Sequence, residues 1–195
     1  MQIFWASKLQ SKYSMDINKD AFSSGQISSK IWLCRELEKV QHVSKETWIY
    51  GGWYAATAFL LLSREKYQVS NIRSFDADPT CEPIADMINE NFLWQNAKFK
   101  AYTKDCNTIS EVYADCIINT STEHFESNKW FEQIPTGTLV ALQGNNMNHD
   151  SHESICTSLD HFNSMYPLTE TLYKGELEFT YPKWGFTRYM LIGKK

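Results

Sequence analysis

From residue 47 onward, short apolar runs rich in β-branched and aromatic residues alternate with stretches whose apolar residues recur every three or four positions. Residues 47–50 (TWIY) are the first β-rich run and stop at Gly51-Gly52, and an apolar helix is expected over 53–63. The runs 71–76 (NIRSFD), 98–103 (KFKAYT), 115–119 (DCIIN) and 137–143 (GTLVALQ) predict further strands. Helices are expected between them from Cys81 to Phe92, around 128–134 and from Glu153 to Met165. The tail breaks the alternation. Residues 170–180 and 186–192 are both β-rich and flank Tyr181-Pro182-Lys183-Trp184-Gly185, which predicts an antiparallel pair. Ahead of the first strand, Ile27, Ile31, Leu33, Cys34, Leu37 and Val40 approximate helical spacing, with Ser23 or Ser24 as N-cap.

Strands alternating with helices imply right-handed crossovers and a parallel sheet covered on both faces. The expected fold is therefore α/β: a Rossmann-like, doubly wound, mostly parallel sheet with a C-terminal antiparallel pair and an N-terminal helical extension. The 195 residues fit one domain, with 1–45 as the extension over the pocket and 46–195 as the core. In such sheets ligands bind beyond the carboxyl ends of the strands, where the strand order reverses. The loops after Tyr50, Asp76, Thr103, Asn119 and Gln143 are then the candidate sites.

Composition narrows the partners. Acidic residues outnumber basic ones, 23 to 19, for a net charge of −4, and the basic residues are scattered. That disfavours nucleic acid, whose phosphates call for a basic stripe. Five cysteines form no CxxC pair, the opening MQIFWASKLQSKYS lacks a long apolar stretch, and the run AATAFLLL is too short to span a bilayer. A soluble cytoplasmic protein with thiols packed as small hydrophobes is expected, with self-association left open.

Three features point to chemistry. Gly51-Gly52 sits at a strand-to-helix turn, where backbone N–H groups can approach a ligand closely. Asp76 ends the second strand, where a carboxylate can accept both hydroxyls of a ribose. Asp105 follows the third, in reach of an adenine amino group. In layout these positions resemble the class I S-adenosylmethionine-dependent methyltransferases, a superfamily sharing this strand order and a reversed C-terminal strand. The usual loop carries three alternating glycines after an acid; here Trp53 and Ala55 take the later glycine places. The resemblance implies S-adenosylmethionine as cofactor, held by Tyr50, Gly51, Gly52, Trp53 and Tyr54, by Asp76 and Ala77, by Asp105 and Cys106, and by Asn119, Thr120 and Ser121.

It also implies that the stretch after the fourth strand faces the acceptor. Asn119 matches the start of the Asn-Pro-Pro-aromatic motif of amino-directed nucleic-acid methyltransferases, but no proline follows, so an exocyclic base nitrogen is disfavoured; with the acidic balance and the small size, a small-molecule acceptor is expected. Glu123 and His124 are candidates for the base that takes the acceptor's proton, with Asn119 beside them. Gln26, Lys30, Gln143, Asn145 and Asn146 are expected to contact the acceptor. His149 and His152 stand three apart beside acids, yet without further ligands at fixed spacing no metal is expected. Other chemistry on the same cofactor (aminocarboxypropyl transfer, cyclisation or a lyase reaction) and a non-catalytic binding or assembly module remain the alternatives.

Overall fold

The computed structural model describes residues 17–40, 43–64, 66–90 and 98–195. Its sheet has seven strands: β1 (Val43–Tyr50), β2 (Gln68–Asp76), β3 (Lys98–Thr103), β4 (Cys116–Asn119), β5 (Leu139–Asn145), β6 (Glu170–Thr180) and β7 (Gly185–Lys194). They lie in the order β3-β2-β1-β4-β5-β7-β6. The first five run parallel, and β7 enters antiparallel between β5 and β6. Among the described residues five α-helices accompany them: α1 (Ser24–Val40), α2 (Ala56–Leu62), α3 (Cys81–Asn89), α4 (Lys129–Glu132) and α5 (Leu159–Met165). The α/β, mostly parallel sheet read from the sequence is the fold observed.

Period-two alternation divides the core. Ile49, Ile118, Ala141 and Ile192 face α1 and α2, where they meet Leu33, Leu37, Ala58 and Leu61. Trp48, Tyr50, Ile117, Val140, Leu142 and Leu191 face the other way, onto Trp130, Phe162 and Tyr166. Each fully buried Leu, Ile or Phe adds about 1.5–3 kcal/mol, so both faces of the sheet are substantial. The Arg64 guanidinium fastens α1 to the end of α2 through paired bonds to Glu38 of 2.6 and 2.8 Å, and holds that carboxyl below its usual range. Among the described residues, no helix is long and apolar enough to cross a membrane, and the five cysteines are buried and unpaired.

Register aligns the strand ends. Tyr50 pairs with Phe75 on one side and Asn119 on the other, Asp76 with Thr103, and Asn119 with Leu142. The loops after β1, β2, β3, β4 and β5 therefore leave from one edge, and the order reverses between β1 and β4. A crevice at that switch point follows from the topology.

Element boundaries differ from the sequence reading where side chains capture backbone. The helix expected over 53–63 starts only at Ala56, because 51–55 form a tight non-helical loop. Asp115 stays outside β4; its carboxylate instead accepts from the Lys45 N–H at 2.8 Å and from Ser44 Oγ. The last helix starts at Leu159 rather than Glu153, with Ser158 Oγ as its cap, accepting from His161 N–H at 3.0 Å. Ser23 caps α1, its Oγ accepting from Gln26 N–H at 3.4 Å. Helix α3 is described to Asn89, and Phe92 lies outside the described residues, as do 1–16 of the expected extension.

Candidate functional site

The loop after β1 takes a tight, partly left-handed path with few glycines. Gly51 has φ 58°, and Trp53 and Ala55 take φ values of 49° and 53°, in the left-handed region that side chains seldom enter. That conformation costs about 1–2 kcal/mol per residue, so something must hold it. Gly52 N–H donates to Phe75 O at 3.1 Å, and Ala55 N–H to Gly52 O at 2.8 Å. Trp53 N–H donates to the Asp76 carboxylate at 2.7 Å. The other oxygen of that carboxylate accepts from Asp78 N–H at 3.0 Å. Asp76 thus ties the ends of β1 and β2 together while lining the space between them.

That space is a cleft of about 1030 Å3. One end is walled by Gly51, Trp53, Asp76, Ala77, Asp105, Cys106 and Ser121. The Asp105 carboxylate caps the turn Cys106–Thr108, accepting from Asn107 N–H at 2.9 Å. Burial pushes the Cys106 thiol up to about 12, against a hydrogen bond from the Gly51 backbone. Ser121 Oγ donates to Gly51 O at 3.2 Å, which joins the loop after β4 to the loop after β1.

The other end is built from three segments that meet. The turn Thr122–His124 follows β4, the loop 146–158 follows β5, and Arg188 comes from β7, opposite Asn145 in the antiparallel register. Glu153 and Ser154 donate backbone N–H bonds to Glu123 O at 2.8 and 3.0 Å, clamping the loop onto the turn. Glu123 is buried. Its Oε1 accepts from Asn145 Nδ2 and lies 3.6 Å from Arg188 Nη1, whereas Oε2 has no hydrogen-bond partner. Leaving a buried acceptor unpaired costs about 1–3 kcal/mol, and more for a charged group. His124 and His152 stack edge to face with ring centroids 4.8 Å apart. Glu123, His124 and His152 each offer one possible metal-ligand atom, all within 4.8 Å of one another.

Several residues expected at the site lie off the cleft lining. Tyr50 and Trp48 share the face opposite α1, and the Tyr50 ring packs on Phe75 and Trp130. Gly52 presses against Ser74, with no room for a Cβ between them. Tyr54 stacks on Phe22 and accepts from Asn18 N–H. Asn119 is fully buried, its Oδ1 accepting from Ser121 N–H at 2.9 Å, and Thr120 O accepts from Arg188 at 3.1 Å. Gln143 donates to Ser29 O at 2.9 Å, docking α1 onto β5. Asn145 supports Glu123 from beneath, and Asn146 accepts from Thr187 N–H at 2.8 Å. Of the residues expected to contact the acceptor, Gln26 lines the cleft.

Lys30 is buried behind Gln26, donating to its Oε1 at 2.7 Å. Burial, and then the Arg188 cation, bring its amine down to about 7, against the opposing pull of Glu123, Asp20 and Cys34. The unfolded chain therefore binds one more proton than the folded chain between about pH 7 and the free-lysine value of 10.5, so Lys30 makes stability rise with pH through that window. Lys30→Met is expected to raise the melting temperature at pH 6 and to flatten the rise toward pH 9, read by thermal melts of both proteins. An unchanged slope would contradict the burial.

Arg188 is a cleft-lining side chain that the sequence pattern conceals. It sits in the tail, and only the insertion of β7 beside β5 carries it to this edge. Phe125 and Met147 line the cleft as well.

No protein-family model matches the chain, and no curated protein sequence matches it. Solved structures do. The N-methyltransferase NodS from Bradyrhizobium japonicum WM9, in complex with S-adenosyl-L-homocysteine, superposes with a TM-score of 0.67 at 8% identity, covering 97% of this chain and 98% of NodS. Magnesium protoporphyrin IX methyltransferase (ChlM) from Synechocystis PCC 6803, with the same molecule bound, gives 0.66 at 6% identity, covering 98% and 93%. The aTrm5 protein in complex with tRNALeu gives 0.58 at 11% identity, over 84% of this chain and 44% of that one. At such identities the likeness is one of fold.

Proposed function

We propose that this chain, which has the fold of class I S-adenosylmethionine-dependent methyltransferases, binds S-adenosylmethionine at the switch-point crevice and methylates a small acceptor. One observation carries the reading: the Gly51 loop and the Asp76 carboxylate open onto the same cleft and are joined by the Trp53 N–H bond. When bound, the cofactor would supply an electrophilic methyl group on a sulfonium.

The residues divide the work by position. Asp76 Oδ1 and Oδ2 each spend one lone pair on a backbone N–H, which leaves capacity for ribose hydroxyls. Ala77, Asp105 and Cys106 flank the adenine side, and Gly51, Trp53 and Ser121 the methionine side. The acceptor enters past Gln26, Phe125 and Met147, where Arg188 offers positive charge to an anionic group. In-line transfer depends mainly on placing the acceptor against the methyl carbon, and His124 stands at the cleft to receive a proton. A small acceptor suits a cleft of this size on a chain of net charge −4.

Isothermal titration with S-adenosylhomocysteine is expected to show saturable one-to-one binding in the micromolar range. Absence of heat at millimolar ligand would end the reading. Product analysis is expected to find S-adenosylhomocysteine; methylthioadenosine alone would mean that another bond of the cofactor is broken.

A further inference from the structure

We propose that Glu123, His124 and His152 form a binding site for a divalent first-row transition-metal ion at the acceptor end of the cleft. The sequence carries no such signal, because the ligands come from two loops and the nearby His149–His152 spacing points elsewhere.

The first support is convergence. Three ligand atoms of the right type, one carboxylate and two imidazoles, lie within 4.8 Å of one another, and all three residues line the cleft. The second is ring orientation. His124 Nδ1 stands 2.9 Å from Ser151 O, and His152 Nδ1 stands 2.8 Å from Met147 O. A carbonyl can only accept, so each Nδ1 carries the proton and each Nε2 is left with its lone pair free. Metal-binding histidines are commonly oriented in this way, by donating the other ring N–H to a backbone carbonyl. The third is the carboxylate. Glu123 is 2% exposed, its Oε1 is held by Asn145 and faced by Arg188, and its Oε2 is buried without a hydrogen-bond partner. Such an oxygen has lone pairs that a cation would take.

The two loops are already joined by the backbone bonds from Glu153 and Ser154 to Glu123 O, so little order has to be created on binding. Two imidazoles and a carboxylate suit zinc or another first-row ion over magnesium or calcium, which favour all-oxygen shells. Three protein ligands leave coordination positions open toward the cleft. Resting on the methyltransferase reading, the ion would take an acceptor oxygen there, which points to a hydroxyl-bearing substrate. With the ion held, His124 is a ligand and no longer the base, so the acceptor hydroxyl would give its proton to solvent, its oxygen lone pair would form the new O–C bond, and the C–S bond would break with its electrons passing to sulfur.

The test is titration of the full chain with Zn2+ alone, and with Co2+ followed by its visible absorption. One-to-one binding is expected, weakened about 10- to 100-fold or more in His152→Ala and in Glu123→Gln, and unchanged in His161→Ala, which alters a histidine outside the cleft. Because Glu123→Gln could disturb folding, His152→Ala, at a partly exposed position, is the decisive variant, with circular dichroism to confirm its fold. No saturable binding, or binding indifferent to His152→Ala, would overturn the proposal. Titration with S-adenosylhomocysteine separates the two readings: intact cofactor binding without zinc binding defeats the metal site alone.

Discussion

Gly144→Ala is expected to destabilise the protein by about 3 kcal/mol, at the upper end of the usual range for overpacking. A Cβ on Gly144 would lie 2.7 Å from Thr122 Oγ1, 2.9 Å from Cys156 Sγ and 2.9 Å from Phe162 Cε2. These atoms belong to the turn after β4, the loop after β5 and α5, so no single side-chain rotation relieves all three. Thr122 Oγ1 is also committed to Gln143 O at 2.9 Å, and moving it drags the turn that carries Glu123 and His124. Urea unfolding would show a lower midpoint with an unchanged slope. Adding Cys156→Ala removes one of the three clashes, so the double variant should be more stable than the two single losses added together predict. A neutral Gly144→Ala would mean that the three segments do not close around β5 as described.

Asp76→Ala is expected to weaken S-adenosylhomocysteine binding by about 10- to 100-fold. A hydrogen bond to a charged group contributes about 1.5–3 kcal/mol, and each 1.4 kcal/mol is tenfold in affinity. The same change removes the acceptor for Trp53 N–H and Asp78 N–H. Stability should therefore fall as well, by about 1–2 kcal/mol. Asp76→Asn separates the two effects. Its amide oxygen still takes one of the backbone donors and restores part of the stability, but the charge and the second acceptor are gone, so affinity stays low. Calorimetry beside thermal melts gives both numbers. Unchanged affinity in Asp76→Ala would place the ribose elsewhere.

Sequence pattern reached the sheet more fully than the site. The run 98–103 is β3 to the residue, and the alternation that makes 47–50 a strand also assigns faces to its side chains. That same alternation could have placed Tyr50 in the core and off the cleft, since it shares a face with Trp48 and β1 is covered on both sides. That Gly51, Asp76 and Asp105 border one cleft was legible because strand ends in a doubly wound sheet face one crevice. The left-handed Trp53 and Ala55 were not: their conformation is imposed by neighbours, above all by the Asp76 carboxylate, against local preference. Asn145 looks like a loop polar in the sequence, yet it lies within β5 and spends its amide on Glu123, as Gln143, at the end of the expected strand, spends its own on Ser29. Arg188 and the pairing of His124 with His152 depend on register and loop closure, which no local pattern encodes.

The insertion of β7 between β5 and β6 gives the crevice a history during synthesis. The parallel strands β1 to β5 emerge first and already contain the glycine loop, Asp76 and Asp105. Arg188 and the antiparallel partner of β5 leave the ribosome only after all five parallel strands and β6 have done so. A nascent chain stopped before β7 carries Gly51, Asp76 and Asp105 of one end of the cleft and lacks the Arg188 guanidinium of the other. Until β7 arrives, the edge of β5 has unpaired backbone groups, so the step that brings Arg188 to the cleft also covers an edge open to association.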